Sequence, residues 1–443
     1  MWGELVAEVR ALSPASAAVA IAVVGSAAYL AISVAWKLLA AVVGLIRRLL
    51  PLPAPKKQPS DESEISTGTT STRRTEPQTK GVSMKALMKE ASKGKPGQHH
   101  DAKHATSKLF ITGLKGHTAE VTGLAWSPDG TQLATACDDR TVRLFNLSDP
   151  TAKNIPFKRK ELRVGVQDVA FGDDDAHVAV QTKGLVSAAG LMMLDFRPKE
   201  PQEEWAVEGV HANKLPGLCL AGASTSKGGY GVLASCSTKT DLRVYSSAGR
   251  LLGSMDTGGL NNYMATISRD GRWVAAGTFT SDVKVYEVTF DRLGAFTGVK
   301  SAMSLKGHKS KVFCLDFSPD LTKAVTASGD GLLKVWNINV RYHMDEDPKV
   351  LLSTGLSLLP GKCYSRLAWG PDYIAAVCGT TLHFLDPRTG EVVERVEDAH
   401  DAAITSLEWS SSKLRGPQGV GSVLATGGLD GRVRLWAALQ KLV

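Results

Sequence analysis

Three stretches of this 443-residue chain place a His, a Thr, an Asp and an aromatic residue in the same order. His117, Thr135, Asp139 and Phe145 form the first set, His308, Thr326, Asp330 and Trp336 the second, and His400, Thr426, Asp430 and Trp436 the third. In each set the Asp precedes the aromatic by six residues and the Thr by ten. A hydroxyl, an imidazole and a carboxylate are the parts of a nucleophilic relay, in which the ring takes the hydroxyl proton and the carboxylate orients the ring. A relay needs one copy, however, and here there are three. The same parts also make a buried hydrogen-bond chain, which stabilises only when every member finds its partner and so recurs as a set. A structural role is therefore expected, with no catalytic residue among them. The chain offers no phosphate-cradling loop, nucleophile elbow or metal-ligand spacing, so no cofactor and no small-molecule substrate are expected.

The elements that must hold these sets repeat as well. The aromatic positions belong to a series, Phe145, Leu194, Tyr245, Tyr286, Trp336, Leu385 and Trp436, separated by 49, 51, 41, 50, 49 and 51 residues. A second landmark runs beside it, an apolar run ending in a turn, as in LAWSPDG, VAFGDDD, ATISRDG, LDFSPD and LAWGPD. Ser-Pro-Asp-Gly is turn chemistry, with Pro presetting φ and Gly accepting a left-handed conformation. The short runs between landmarks, QLATAC, TVRLF and WVAAGT, alternate with the period of strands.

Four-strand units of this length, with Gly-His before the first strand and the aromatic landmark near the last, resemble the WD40 β-propeller family. Lys-Gly-His recurs at 115–117 and 306–308, with His400 in a weakened third copy. His117 and His308 each lie 28 residues before their aromatic, and His400 lies 36 before Trp436, the excess fitting a loop SSSKLRGPQGVGS. The resemblance implies that His, Thr, Asp and Trp link the strands of one blade, and that LFITGL (109–114) pairs into the last blade to close the ring. Phe145 has no N–H, so the first network is expected to end at Asp139. Blades two, three, four and six are expected to have lost the Gly-His and the turn Asp. The expected fold is an all-β, seven-bladed propeller over 109–443, with eight blades as the alternative. GLNNYMATISRDGRWVAAGTFTSDVKVYEVTF and DDRTVRLFN further resemble a membrane-anchored, transducin-β-like subfamily. That resemblance implies an endoplasmic reticulum protein acting as a scaffold, with a stress-sensing membrane kinase as its partner.

The first 108 residues read differently. No charged residue occurs from Ala11 to Trp36. Residues 15–36 would make a helix of about 33 Å, enough for a bilayer core of about 30 Å, and the apolar run extends to 46. Three readings compete: a cleaved signal peptide, a core helix of a soluble domain, and a membrane anchor. Glu4 and Glu8 in front and the length argue against a signal peptide, and the polar residues that follow argue against a core helix. The basic flank (Lys37, Arg47, Arg48, Lys56, Lys57) puts the C-terminal body in the cytosol and residues 1–14 in the lumen. Residues 47–108 carry thirteen Lys and Arg against six Asp and Glu, most of the chain's net charge of +8, in a composition expected to be a disordered linker. Within it SMKALMKEASK has one apolar helical face, and His99, His100 and His104 only loosely resemble a metal tract.

The six cysteines stand alone, as expected of reduced thiols. In blade four Asn261, Asn262 and Tyr263 occupy the position of the Gly-His loop, and Phe279 and Asp282 its altered turn. Amides beside aromatics are contact chemistry, so these five are the candidate partner surface. The function expected is a membrane-anchored, non-enzymatic scaffold for other proteins. Two alternatives differ in class: a nucleotide-exchange factor for a small GTPase at the endoplasmic reticulum, and an RNA- or ribosome-associated adaptor acting through the basic linker.

Overall fold

The computed structural model describes residues 107–183, 190–211, 217–224, 231–292, 294–356, 358, 362–416 and 419–439. The expected membrane span at 15–36, the linker and its histidines lie outside the described residues. Among the described residues no helix is long and apolar enough to cross a membrane.

A short strand β1 (Phe110–Leu114) comes first. Blade one follows as β2 (Val121–Trp126), β3 (Gln132–Cys137), β4 (Thr141–Asn146) and β5 (Phe157–Glu161). Blade two is β6 (Val166–Phe171), β7 (His177–Thr182), β8 (Leu191–Asp195) and β9 (Gln202–Val207). Blade three is β10 (Gly217–Ser224), β11 (Gly231–Ser237), β12 (Asp241–Ser246) and β13 (Leu251–Asp256). Blade four is β14 (Asn262–Ile267), β15 (Trp273–Thr278), β16 (Val283–Phe290) and β17 (Phe296–Leu305). Blade five is β18 (Val312–Phe317), β19 (Lys323–Ser328), β20 (Leu332–Asn337) and β21 (Lys349–Gly355). Blade six is β22 (Arg366–Trp369), β23 (Ile374–Cys378), β24 (Thr381–Leu385) and β25 (Val392–Val396). Blade seven is β26 (Ile404–Gly416), β27 (Gly419–Gly428) and β28 (Val433–Ala437), completed by β1. Each blade is a four-stranded antiparallel sheet, and all seven landmark residues fall on the third strand of their blade, one strand in from the outer edge.

Closure is as expected too. β1 pairs with β28 through Phe110–Trp436 and Leu114–Val433, so the first strand of the propeller and its last three form one sheet. Pairing the ends removes the two open edges that an unclosed array would present. The stretch after Trp409 is not the loop expected from the spacing. It extends β26 and β27 into a longer ladder, with Lys413 opposite Ser422 and Gly416 opposite Gly419. The physical reason is Leu414, which is buried with Leu114, Leu147 and Val423. The hairpin therefore clamps blade seven onto blade one beside the closing strand.

The middle strands explain their own composition. β3, β11, β15 and β19 are buried along nearly their whole length, because each blade face packs on a neighbouring blade. The period-2 alternation read from QLATAC and WVAAGT is thus not core against water but one neighbour against the other. Strands buried on both faces read as near-continuous apolar runs. Core clusters accordingly join adjacent blades, as where Ala134 and Val142 of blade one pack with Val169 and Val178 of blade two. The outermost strands are solvated, β5 being FKRKE and mostly exposed.

Candidate functional site

The three repeated sets are hydrogen-bond chains in which every His, Thr and Asp is engaged. In blade five His308 Nδ1 lies 2.9 Å from Asp330 and Nε2 lies 2.7 Å from the Thr326 hydroxyl. The Trp336 indole N–H donates to the same hydroxyl at 2.9 Å. Asp330 also accepts the backbone N–H groups of Lys309 and Leu332. Blade seven repeats this, with His400 bonded to Asp430 (3.0 Å) and Thr426 (2.8 Å), and Trp436 to Thr426 (2.9 Å). In blade one His117 bonds Thr135 (2.7 Å) and Asp139 (3.3 Å), and Phe145 adds no bond, so the chain stops short of the aromatic as expected. Phe145 packs on Phe157 instead, with centroids 5.2 Å apart.

Burial disfavours the charged form of the His117 and His308 rings. It lowers His308, and with the Arg143 guanidinium it brings His117 down to about 4. Burial would raise Asp330, but the Lys309 N–H and the His308 ring outweigh it and hold the carboxylate ionised. A neutral ring donating to Asp and accepting from Thr has no lone pair left for a substrate proton. The arrangement ties the loop before the first strand to the second and third strands.

One partner of each network escaped the sequence reading. The residue two before the aromatic is basic in all three blades and folds back on the loop. Arg143 donates to the Gly116 carbonyl (2.6 Å), Lys334 to Gly307 (2.7 Å) and Arg434 to Asp430 (2.8 Å). The recurring RLF, KVW and RLW would have disclosed it.

Blade three corrects an expectation. It has not lost its His and Asp: His211 Nδ1 lies 2.9 Å from Asp241 and Nε2 lies 3.0 Å from the Ser235 hydroxyl. The Tyr245 hydroxyl closes the group by donating to the Val210 carbonyl at 2.7 Å. The spacing disguised it, because His211 is 34 residues before Tyr245 and Asp241 only four. Ser235 keeps the ten-residue offset of the three Thr, and that was the available signal. Blade six has a different buried pair, the Tyr364 hydroxyl against His383 Nδ1 at 2.8 Å.

The candidate partner surface of blade four divides. Asn262 is 4% exposed and structural, accepting from the Thr257 hydroxyl (2.8 Å) and donating to the Ser237 carbonyl (3.2 Å). Its assignment to a contact surface is therefore corrected: the amide replaces the missing His in binding the loop to its blade. Asn261 accepts from Lys239 (3.0 Å) and takes the Phe279 N–H on its carbonyl. Phe279 is 45% exposed, and Tyr263 packs on Phe313 of blade five with centroids 5.1 Å apart. Asp282 is exposed beside Ser281, at 3.3 Å.

The innermost strands surround a channel of about 610 Å³ whose carboxylates were not singled out from the sequence. Asp168, Asp316 and Glu408 lie on β6, β18 and β26 and each bonds the next blade. Asp168 accepts the Leu220 N–H (2.9 Å), Asp316 the Trp369 N–H (2.7 Å) and Glu408 the Trp126 N–H (3.0 Å). Burial raises the three to about 7, 6 and 8 respectively. They stitch blades two to three, five to six and seven to one. A methyl group at Gly123 would collide with the Asp168 carboxylate, which is why β2 carries no side chain there.

Two groups among the described residues bring metal-ligand atoms close together. His117, Cys137 and Asp139 do not suit an ion, since both ring nitrogens are engaged and burial pushes the Cys137 thiol up to about 11. His177, Asp195 and Glu204 surround the Arg197 guanidinium, which lies 2.8 Å from His177 Nε2 and fills the place a cation would take.

Comparison with known proteins agrees with this geometry. The WD domain, G-beta repeat model matches residues 108–146, 299–337 and 392–437, which hold the three complete sets. Transducin beta-like protein 2 of Homo sapiens is 28% identical over 327 residues, 72% of this chain and 70% of its own length. The same protein of Mus musculus is 29% identical over 342 residues, 75% of this chain and 74% of that one. The ribosome biogenesis protein WDR12 homolog of Drosophila sechellia is 26% identical over 181 residues, 39% of each chain. With repeats matched in blades one, five and seven and four-stranded sheets in all seven, the chain is a seven-bladed β-propeller that carries WD40 repeats.

Proposed function

We propose that the protein is a non-enzymatic, membrane-tethered scaffold whose propeller faces the cytosol, at the endoplasmic reticulum, where it links stress signalling to translation. WD40 propellers bind other proteins, and that general role applies here. The observation that carries the non-enzymatic reading is the closure of the His–Asp–hydroxyl chains of blades one, five and seven: both ring nitrogens of each His are engaged by the Asp and Thr of its own blade. The uncharged run at 15–36 and its basic flank support the tether and its direction. The organelle and a stress-sensing kinase as partner are what the resemblance to the transducin-β-like subfamily implies, a likeness that runs over about seven-tenths of both chains.

The test is protease treatment of sealed microsomes holding a chain tagged at both ends. Digestion of the propeller with protection of the N-terminal tag is the expected result. Asn146-Leu147-Ser148 is the only glycosylation sequon in the chain, and Asn146 is exposed at the end of β4, so it reports independently. Glycosylation there would place the propeller in the lumen and end the cytosolic reading.

A second reading, association with RNA or ribosomes through the basic linker, is favoured by the surplus of thirteen Lys and Arg over six acids in 47–108 and by the relative named for ribosome biogenesis. Such binding would weaken steeply between low and moderate salt.

A further inference from the structure

The loops before the innermost strands and the turns between second and third strands share one face of the propeller. On that face, where blades four and five meet, side chains from positions about fifty residues apart come together. Lys311, just before β18, holds its ammonium 4.9 Å from the Phe313 ring and 5.9 Å from the Phe279 ring. Tyr263 of β14 packs on Phe313 with the rings tilted by 45° and their centroids 5.1 Å apart. Leu260 is 69% exposed and adjoins Asn261, whose carbonyl takes the Phe279 N–H. Lys239 lies on the far side, bonded to the Asn261 amide oxygen.

The hydrogen-bonding capacity of this group is unspent. Among the described residues neither the Lys311 ammonium nor the Tyr263 hydroxyl has a hydrogen-bond or ion-pair partner. Both nevertheless sit against apolar rings, which hold them in place. Lys309 and Lys239 add positive charge, set against Asp282 beyond Phe279 and Asp330, which accepts the Lys309 backbone N–H and is committed to His308. Two open donors over rings, with exposed Phe279 and Leu260 alongside, form a receptor for a carboxylate next to an apolar side chain.

We propose that this rim docks an acidic linear segment of a partner protein, with a carboxylate on Lys311 and Tyr263 and an apolar residue against Phe279. The site rests on the reading of the propeller as a protein-binding body and names the chemistry of the partner. The chain's own linker is net basic and is repelled by the same lysines. A nucleic acid is less suited, because only Phe279 offers an open stacking face, whereas strand binding uses several rings in succession.

The experiment is fluorescence anisotropy on the full chain in detergent micelles. The probe is a labelled eight-residue peptide of Asp and Glu with one central Phe, and the control is its Lys-for-acid counterpart. The acidic peptide is expected to bind and the basic one not. Lys311→Glu should weaken binding by about ten-fold or more and Lys311→Met by less, with rising salt closing the gap. Phe279→Ser, at an exposed position, should weaken binding several-fold without moving the melting temperature. Equal binding by native chain and Lys311→Glu, or no binding by the native chain, would overturn the site. Neither result touches the scaffold reading, which the microsome experiment tests separately. Tighter binding of an oligouridylate that competes with the peptide would overturn the proposal in favour of nucleic acid. Tighter peptide binding after Asp61, Glu62 and Glu64 are changed to Ser would overturn it in favour of the linker's own acidic run.

Discussion

Blades four and five adjoin, and they solve the same problem with different residues. Each must fasten the loop entering its first strand to the strands behind it. Blade five uses His308, Thr326, Asp330 and Trp336, a chain in which every atom is engaged. Blade four uses Asn262, held by Thr257 and Ser237, with the Tyr286 hydroxyl donating to the Asp256 carbonyl at 2.8 Å. The difference teaches that the fold requires satisfied buried polar groups, not a particular set of them. It also separates appearance from role. The residues most like a catalytic relay are structural, and the side chains with open capacity stand at the seam where the repeat pattern breaks.

Four substitutions can break or sharpen this comparison. The largest effect is expected from Asp330→Ala, which strands the buried His308 ring and the N–H groups of Lys309 and Leu332. A loss of about 3–4 kcal/mol in thermal or urea unfolding is expected. A cost under about 1 kcal/mol would mean that the chain does not hold blade five.

The second lies on the inner strands, where blade five has Asp316 and blade four has Thr266, which donates to it at 3.2 Å. Burial raises Asp316 to about 6 in the folded protein from the usual 3.8, so the folded state binds its proton more tightly than the unfolded one. Its contribution is fully present below about pH 4 and is lost as pH rises through about 6, a change of about 2–3 kcal/mol. Asp316→Asn should make the fall in melting temperature from pH 4 to pH 7 smaller without abolishing it, since Asp168 and Glu408 are raised as well. An unchanged slope would show that the carboxyl titrates normally.

Asn262→Ala is third, at about 1–3 kcal/mol, since it leaves the Thr257 hydroxyl unpaired in the interior and the Ser237 carbonyl with only the weak Cys236 thiol donor. A neutral result would show that blade four fastens its loop by other means and that the two blades are not equivalent. The smallest concerns the turn after the first strand. Blade four has Gly271 with φ at +71°, and blade five has Leu321 at +62°. A side chain is strained there, so Leu321→Gly should stabilise by about 0.5 kcal/mol after the entropy of the added glycine is set against the relief. Destabilisation in a melting experiment would show that the Leu321 side chain contributes contacts worth more than the strain.

Much of the candidate site could be read from the chain because it rests on fixed offsets. The Thr and Asp of blades one, five and seven stand ten and six residues before an aromatic, since both strands of a tight hairpin must present them to one loop. Where a segment between strands lengthens, the offset fails while the contact survives, as with His211 and Asp241 in blade three. Asn262 was misassigned for a related reason. A polar residue in a loop reads as exposed, and only its neighbours Thr257 and Ser237 reveal it as buried.

The sequence by itself determined the strand rhythm, its repetition along the chain and the Thr, Asp and aromatic offsets of blades one, five and seven. These depend on local periodicity and on turns of a few residues, which neighbouring positions specify. The tertiary structure alone decided which polar side chains face one another across blades. Asp168, Asp316 and Glu408 alternate along their strands like solvent-facing residues, and only the ring makes their face a channel. Leu414 becomes a clamp only because blade one returns to meet blade seven. Lys311, Phe279 and Tyr263 meet only where two blades abut. Contacts of this kind join positions far apart in the chain, and no local pattern encodes them.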